Sequence, residues 1–258
     1  MEFVQKDHYD LQDLLHVVQI LRSPQGCPWD REQTHESIRM SFVEETYEVL
    51  DAIDHRDAPL LCEELGDVLL HVVMHAQMEA EQGSFSFDEV CDGICKKMIS
   101  RHPHVFSDAE KLSSTEVNKA WDLLKNKEKD RSTAQADLES VPACLPALMR
   151  AGKTQKRAAR YGVGSREPAA VQAQLEQAVQ ALCRGAAAEP VSGQAVGELL
   201  FQTVALARVA GIDPEDALNR ATDQFTARVA ACEAKAAQEG KQLAEVWAQA
   251  ATEQSAKG

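Results

Sequence analysis

The chain has 258 residues, of which 44% are apolar and 5% aromatic, and it carries a formal net charge of −14. That apolar content can build a core for one large domain or two small ones and argues against wholesale disorder. The acidic balance argues against nonspecific nucleic-acid binding, and no apolar run approaches the roughly 20 residues of a membrane span. The first residues, Met1 to Asp7, lack a basic region followed by an apolar one, so no secretory signal is expected. Seven scattered cysteines read as reduced thiols of a cytoplasmic protein.

Ala, Leu, Val, Glu and Gln dominate the composition, which favours helices over sheets. Helical periodicity runs from about Asp10 to Arg22. The segment Ser23 to Asp30, which contains Gly26-Cys27-Pro28-Trp29-Asp30, is dense in breakers and predicts a loop. A helix is expected from near Thr34 or Ser37 to His55, and another from Pro59 to about Gln82. Ser86-Phe87-Asp88-Glu89 is a capping box for a helix ending near Arg101. Ser113-Ser114-Thr115-Glu116 is a second box, for a helix through Trp121 to Lys129. Pro142 and Pro146 mark a hinge. Helices are then expected near 147–160, 168–184, 193–210, 214–239 and 242–254, with Asp213-Pro214 as a helix start. No segment shows strand alternation, so the expected class is all-α.

Two acidic clusters stand out, Glu44-Glu45-Thr46-Tyr47-Glu48 and Glu63-Glu64-Leu65-Gly66-Asp67. Each holds a carboxylate pair spaced i, i+3, Glu45/Glu48 and Glu64/Asp67, which shares one helical face. Both lie against apolar runs, where carboxylates are costly unless a cation sits between them. An all-oxygen set suits a hard divalent ion such as Mg²⁺. On two antiparallel helices, the four acids would hold a cation that bridges phosphate oxygens. Glu44 or Glu63 could then orient or deprotonate a water. Lys97 and Arg101 are i, i+4 and would supply cations to phosphate, with Trp121 and Lys125 repeating that spacing. Trp29 and Asp30 could lie over the site, Asp30 offering an acceptor to a base or sugar.

Blander readings compete. One Glu-x-x-Glu is usually a solvated face, but two such pairs on adjacent helices shift the odds to metal. Lys97 and Arg101 alone read as surface charge, and Trp29 and Trp121 alone as core. Zinc on Cys91, Cys95, His102 and His104 lacks finger or ribbon spacing. His71 and His75 follow Asp67 by one and two turns, but a di-iron bundle wants Glu-x-x-His twice.

The two halves also echo each other. Gly66-Asp67-Val68-Leu69-Leu70 matches Gly197-Glu198-Leu199-Leu200-Phe201, and Trp121 matches Trp247. Where the first half has Glu45, Glu48 and Glu64, the second has Gln177, Gln180 and Ala195. Asp67 persists as Glu198 and Arg101 as Arg228, while Lys97 and Lys125 become Gln224 and Ala251. The expected organisation is a domain over 1–135 with the intact acidic motif and a degenerate copy over 136–258.

Gly26-Cys27-Pro28-Trp29-Asp30, the two acidic clusters, Arg101-His102-Pro103-His104-Val105-Phe106 and Leu145-Pro146-Ala147-Leu148-Met149-Arg150-Ala151 together closely resemble the MazG family of nucleoside triphosphate pyrophosphohydrolases. The match is dense over roughly 10–160 and looser beyond. The resemblance implies tandem all-α domains and a homodimer. It also implies Mg²⁺-dependent hydrolysis of nucleoside triphosphates to monophosphate and pyrophosphate, with Mn²⁺ as a substitute ion. It makes Glu45, Glu48, Glu64 and Asp67 the metal ligands. Lys97, Arg101 and Lys125 would hold the triphosphate, with Trp121 beside the nucleotide. In well-known two-domain members the C-terminal domain is the active one; here the N-terminal copy is expected to work instead. The alternative is a non-catalytic nucleotide sensor or a helical protein binding a partner such as a GTPase.

Overall fold

The computed structural model describes residues 3–107, 133–186 and 191–255. Among them there are helices and no strands, as composition predicts. The chain divides into two compact units, Met1–Lys125 and Asn126–Gly258. No single helix among the described residues is long and apolar enough to cross a membrane.

Unit 1 contains α1 (Leu11–Arg22), α2 (Pro28–Glu32), α3 (Arg39–His55), α4 (Ala58–Gln82), α5 (Phe87–Arg101) and α6 (Pro103–Phe106). The starts follow local side-chain chemistry. Asp10 and Asp13 form a reciprocal capping box on α1, and Ser86 and Glu89 another on α5. The Asp57 carboxylate accepts from the Leu60 amide at the start of α4. Two details depart from expectation. Pro28 opens a short helix inside the breaker-rich segment, since its ring suits a first helical turn. And α3 begins at Arg39, later than Thr34 or Ser37, because Thr34 and Ser37 cap each other's amides in a local turn (2.9 and 3.2 Å).

The core of this unit gathers Val18 of α1, Ile38, and Val73, Met74 and Met78 of α4, with Leu14, Leu15 and Phe87 packed against them. At one end a buried arginine fastens three segments. The Arg22 guanidinium pairs with both carboxylate oxygens of Glu81 (2.9 and 2.8 Å) and donates to the carbonyls of Asp30 (2.6 Å) and Gln33 (3.2 Å). Its side chain is only 7% exposed, so each of these bonds offsets desolvation of the charge.

Unit 2 contains α7 (Ala134–Glu139), α8 (Ala147–Ala158) with a 3-10 turn at Ala159–Tyr161, α9 (Pro168–Ala186), α10 (Gly193–Val209), α11 (Pro214–Glu239) and α12 (Leu243–Ser255). The short α7 is unannounced by periodicity. Asp137 on it is buried, and its carboxylate meets Arg157 (3.7 Å) and Arg160 (3.5 Å). Arg157 also donates to the Asp137 carbonyl (2.6 Å) and to the Ser140 hydroxyl. The units share a helix order. In each, a helix pair packs together, α3 with α4 and α9 with α10. An earlier helix, α1 or α8, packs on the second of the pair, and a later one, α5 or α11, follows.

Candidate metal centre

The turn between α3 and α4 sets the geometry. Arg56 ends α3 in the left-handed region at φ 56°, and the Asp57 amide reaches back to the Ala52 carbonyl at 3.0 Å. The chain therefore reverses in two residues, and α4 packs back on α3. Glu48 and Glu64 lie equally far from Arg56 on either side, as do Glu45 and Asp67. The i, i+3 spacing turns both pairs to the same seam.

Three of the four acids converge. Glu45, Glu48 and Glu64 each offer an oxygen, and these atoms lie within 4.8 Å of one another. Asp67 stands off from that convergence but is close enough to be felt as charge. Glu45 is held above the ordinary carboxylate range, first by desolvation and then by Glu48, Asp67 and Glu64. Glu64 is raised as well, by desolvation and then by Glu48, Glu63 and Asp67. Like charges are thus pressed together at a half-buried seam without a positive partner among the causes. A cation about 2.1 Å from each oxygen would place neighbouring ligands about 3 Å apart and opposite ones about 4.2 Å apart. The observed cluster fits that span with little movement, and all-oxygen donors favour a hard divalent cation.

The remaining expected residues divide. Glu44 and Glu63 are exposed beside the seam. Lys97 is exposed on α5 and makes no ion pair among the described residues, whereas Arg101, one turn on, is buried. Trp121 and Lys125 lie outside the described residues. Trp29 is 64% exposed, so it is not core. The Asp30 carbonyl is held by Arg22, which also pairs with Glu81. Glu81 follows Glu64 by about 25 Å of helix, so one chain does not bring Trp29 and Asp30 beside the acids. Cys91, Cys95, His102 and His104 do not converge on a common point, and His102 Nδ1 meets the Met98 carbonyl at 2.6 Å.

A second polar cluster lies further along α4, and sequence spacing points only to its two helical histidines, His71 and His75. His35 Nδ1 and His75 Nδ1 lie 2.7 Å apart, and His35 Nε2 lies 2.8 Å from Glu79. The Phe42 ring stacks on His71 at 5.4 Å and tilts against His75 at 5.8 Å. Burial lowers the His71 and His75 pKa values, with His35 and His71 adding to the effect at His75. Spacing relates only His71 and His75 to each other and to Asp67; His35 lies too far away in sequence for spacing to reveal it.

Unit 2 presents amides where unit 1 has acids. Gln177 and Gln180 on α9 are exposed, and Glu198 on α10 accepts from Gln202 at 2.7 Å. Arg228 lies over the Trp247 ring at 4.2 Å, and Phe225 meets the same ring edge-on at 5.4 Å.

Residues 33–106 match the MazG nucleotide pyrophosphohydrolase domain. The chain is 40% identical over 253 residues to a nucleoside triphosphate pyrophosphohydrolase of Escherichia coli (strain K12), covering 92% of this chain and 95% of that protein. It is 38% identical over 217 residues to the nucleoside triphosphate pyrophosphohydrolase/pyrophosphatase MazG of Thermotoga maritima, covering 84% and 83%. A nucleoside triphosphate pyrophosphohydrolase of Mycolicibacterium smegmatis matches at 39% over 155 residues, 59% of this chain and 47% of that protein.

Proposed function

This chain belongs to the MazG nucleotide pyrophosphohydrolase family, and from that premise we propose that it hydrolyses nucleoside triphosphates to monophosphate and pyrophosphate in unit 1. The observation that carries the assignment to unit 1 is the convergence of Glu45, Glu48 and Glu64, with Asp67 behind them. The copy over 136–258 lacks three of those four acids and serves assembly or stability.

A divalent cation, Mg²⁺ or in its place Mn²⁺, held by Glu45, Glu48, Glu64 and Asp67, supplies Lewis-acid stabilisation of charge on the phosphate oxygens. The protein does the rest. Glu44 or Glu63, exposed at the rim, accepts a proton from the attacking water. Oxygen adds at the α-phosphorus, the bond to the β-phosphate bridge breaks, and pyrophosphate leaves with the electron pair. Lys97 and Arg101 on α5 meet the triphosphate, as do Trp121 and Lys125 beyond the described residues. Trp29 and Asp30 reach a nucleotide only from a second copy, which agrees with a homodimer. Seven free cysteines suit the cytoplasm.

Glu48→Gln tests the assignment. It removes one charged ligand and leaves the helix its propensity. Cation-dependent pyrophosphate release should fall on the order of 10²–10³-fold with helicity unchanged. Undiminished release in that variant would move the chemistry elsewhere.

A further inference from the structure

The geometry points to a second metal site, built from His35, His75 and His71 with Glu79 behind His35, that takes a borderline divalent cation of the Zn²⁺ class. It is distinct from the carboxylate centre. His71 follows Asp67 by one turn and feels its charge, but His75, which meets His35, follows by about 12 Å of helix, too far for a shared bridging pair. The donor chemistry differs too. Carboxylates alone suit Mg²⁺, while imidazole nitrogens select zinc, cobalt, nickel or copper.

Three observations carry it. First, His35 is oriented as metal-bound imidazoles are. Its Nε2 sits 2.8 Å from the Glu79 carboxylate, which accepts a hydrogen bond from Nε2–H in the tautomer that leaves the Nδ1 lone pair for a metal. That Nδ1 faces the Nδ1 of His75 at 2.7 Å. Two nitrogens on one Zn²⁺ at about 2.0–2.1 Å would stand about 3.3 Å apart, so a small opening of the pair admits the ion. Second, His71 and His75 are i, i+4 on α4, the helical spacing that places two imidazoles on one zinc. Third, His71 Nδ1 is buried and has no hydrogen-bond partner, an orphaned donor or acceptor beside the pair.

As placed, only His35 and His75 meet; His71 must turn to join them. The rings of His71 and His75 are 6.5 Å apart, so the rotation is short. Phe42 stacks on His71 and leans against His75, which limits where the two rings can swing. The His35 side chain is 36% exposed, which leaves a way in. Binding moves the His75 Nδ1 proton to Nε2 and needs no oxidant or other reactant. The bound ion would fasten the stretch ahead of α3 to the middle of α4.

The test uses the full chain, reduced, stripped of metal and held in saturating Mg²⁺ to occupy the acids. After dialysis against Zn²⁺, elemental analysis counts bound zinc. The His35→Gln/His75→Gln double variant should retain its helicity and lose one equivalent relative to the parent; thiol binding is common to both and cancels. Glu79→Gln keeps the nitrogens and should weaken binding about 10- to 100-fold. Equal zinc in parent and double variant overturns the site and leaves a hydrogen-bonded histidine pair. Should the double variant unfold, His75→Gln alone replaces it in the same zinc count: loss of one equivalent supports the site, and zinc equal to the parent overturns it.

Discussion

Units 1 and 2 run the same helix order, yet one gathers carboxylates at the seam of its central pair, and the positions the sequence echo pairs with them in the other are not acids. Glu45, Glu48 and Glu64 crowd within 4.8 Å, while Gln177 and Gln180 sit exposed and Ala195 has no side-chain oxygen. The helical framework does not need the acids. Glu45 and Glu64 have raised pKa values, first through desolvation and then through neighbouring carboxylates. Unit 2 keeps the fold without that crowding. Crowded charge at this seam is thus a cost the fold of unit 1 carries unless a cation offsets it, as the proposed chemistry requires.

The sharpest way to break the comparison is to carry a change across it. Glu48→Gln in unit 1 should lower pyrophosphate release on the order of 10²–10³-fold, while Glu198→Gln in unit 2 should leave it unaltered, both read by pyrophosphate assay. Equal losses would mean both units contribute. Next come the two charge clamps. Removing one partner of a buried pair costs about 3–5 kcal/mol. Asp137→Ala should therefore lower the denaturant midpoint strongly, since Arg157 and Arg160 both lose their carboxylate. Arg22→Ala should act less, about 2–3 kcal/mol, because Glu81 is partly solvated.

A third contrast is in pH. Acids whose folded pKa is raised add stability in acid, and that contribution is lost as pH rises through the folded value. Metal-free protein should therefore gain from Glu45 and Glu64 on mild acidification, and a divalent cation should raise the melting temperature near neutrality more than in acid. Glu81 runs the other way. Arg22 lowers its pKa, so its contribution is present above the ordinary carboxylate range and is lost as pH falls through the folded value. Glu48→Gln should raise the metal-free melting temperature and abolish the cation-induced increment. The smallest effect is expected at Arg56→Gly, which relieves a left-handed φ and should stabilise by about 0.5–1 kcal/mol in a melt.

Much of this was legible from residues alone, for a physical reason. A cap is a bond between residues two or three apart, so Asp10, Asp57, Ser86 and Asp213 announce their helices directly. The acidic pairs are also local, and their i, i+3 spacing leads to the seam. What escaped depends on distant partners. Asp137 is buried on α7 only because Arg157 and Arg160 come to it, and a six-residue helix has too little periodicity to show itself. Arg22 gave no signal beyond a helix-terminal charge, yet it holds the Trp29–Asp30 segment away from Glu64. Nor does spacing bring His35 to His75, forty positions later.

Arg228 over Trp247 has a consequence for what unit 2 can become. One face of the indole is already shuttered by a guanidinium, and Phe225 abuts its rim. Restoring acids at positions 177, 180 and 195 would rebuild a cation cradle while the aromatic slab stayed capped against any planar guest. Anyone regrafting the carboxylates would still meet a blocked indole, and the guanidinium lid would have to be pried off as a separate operation.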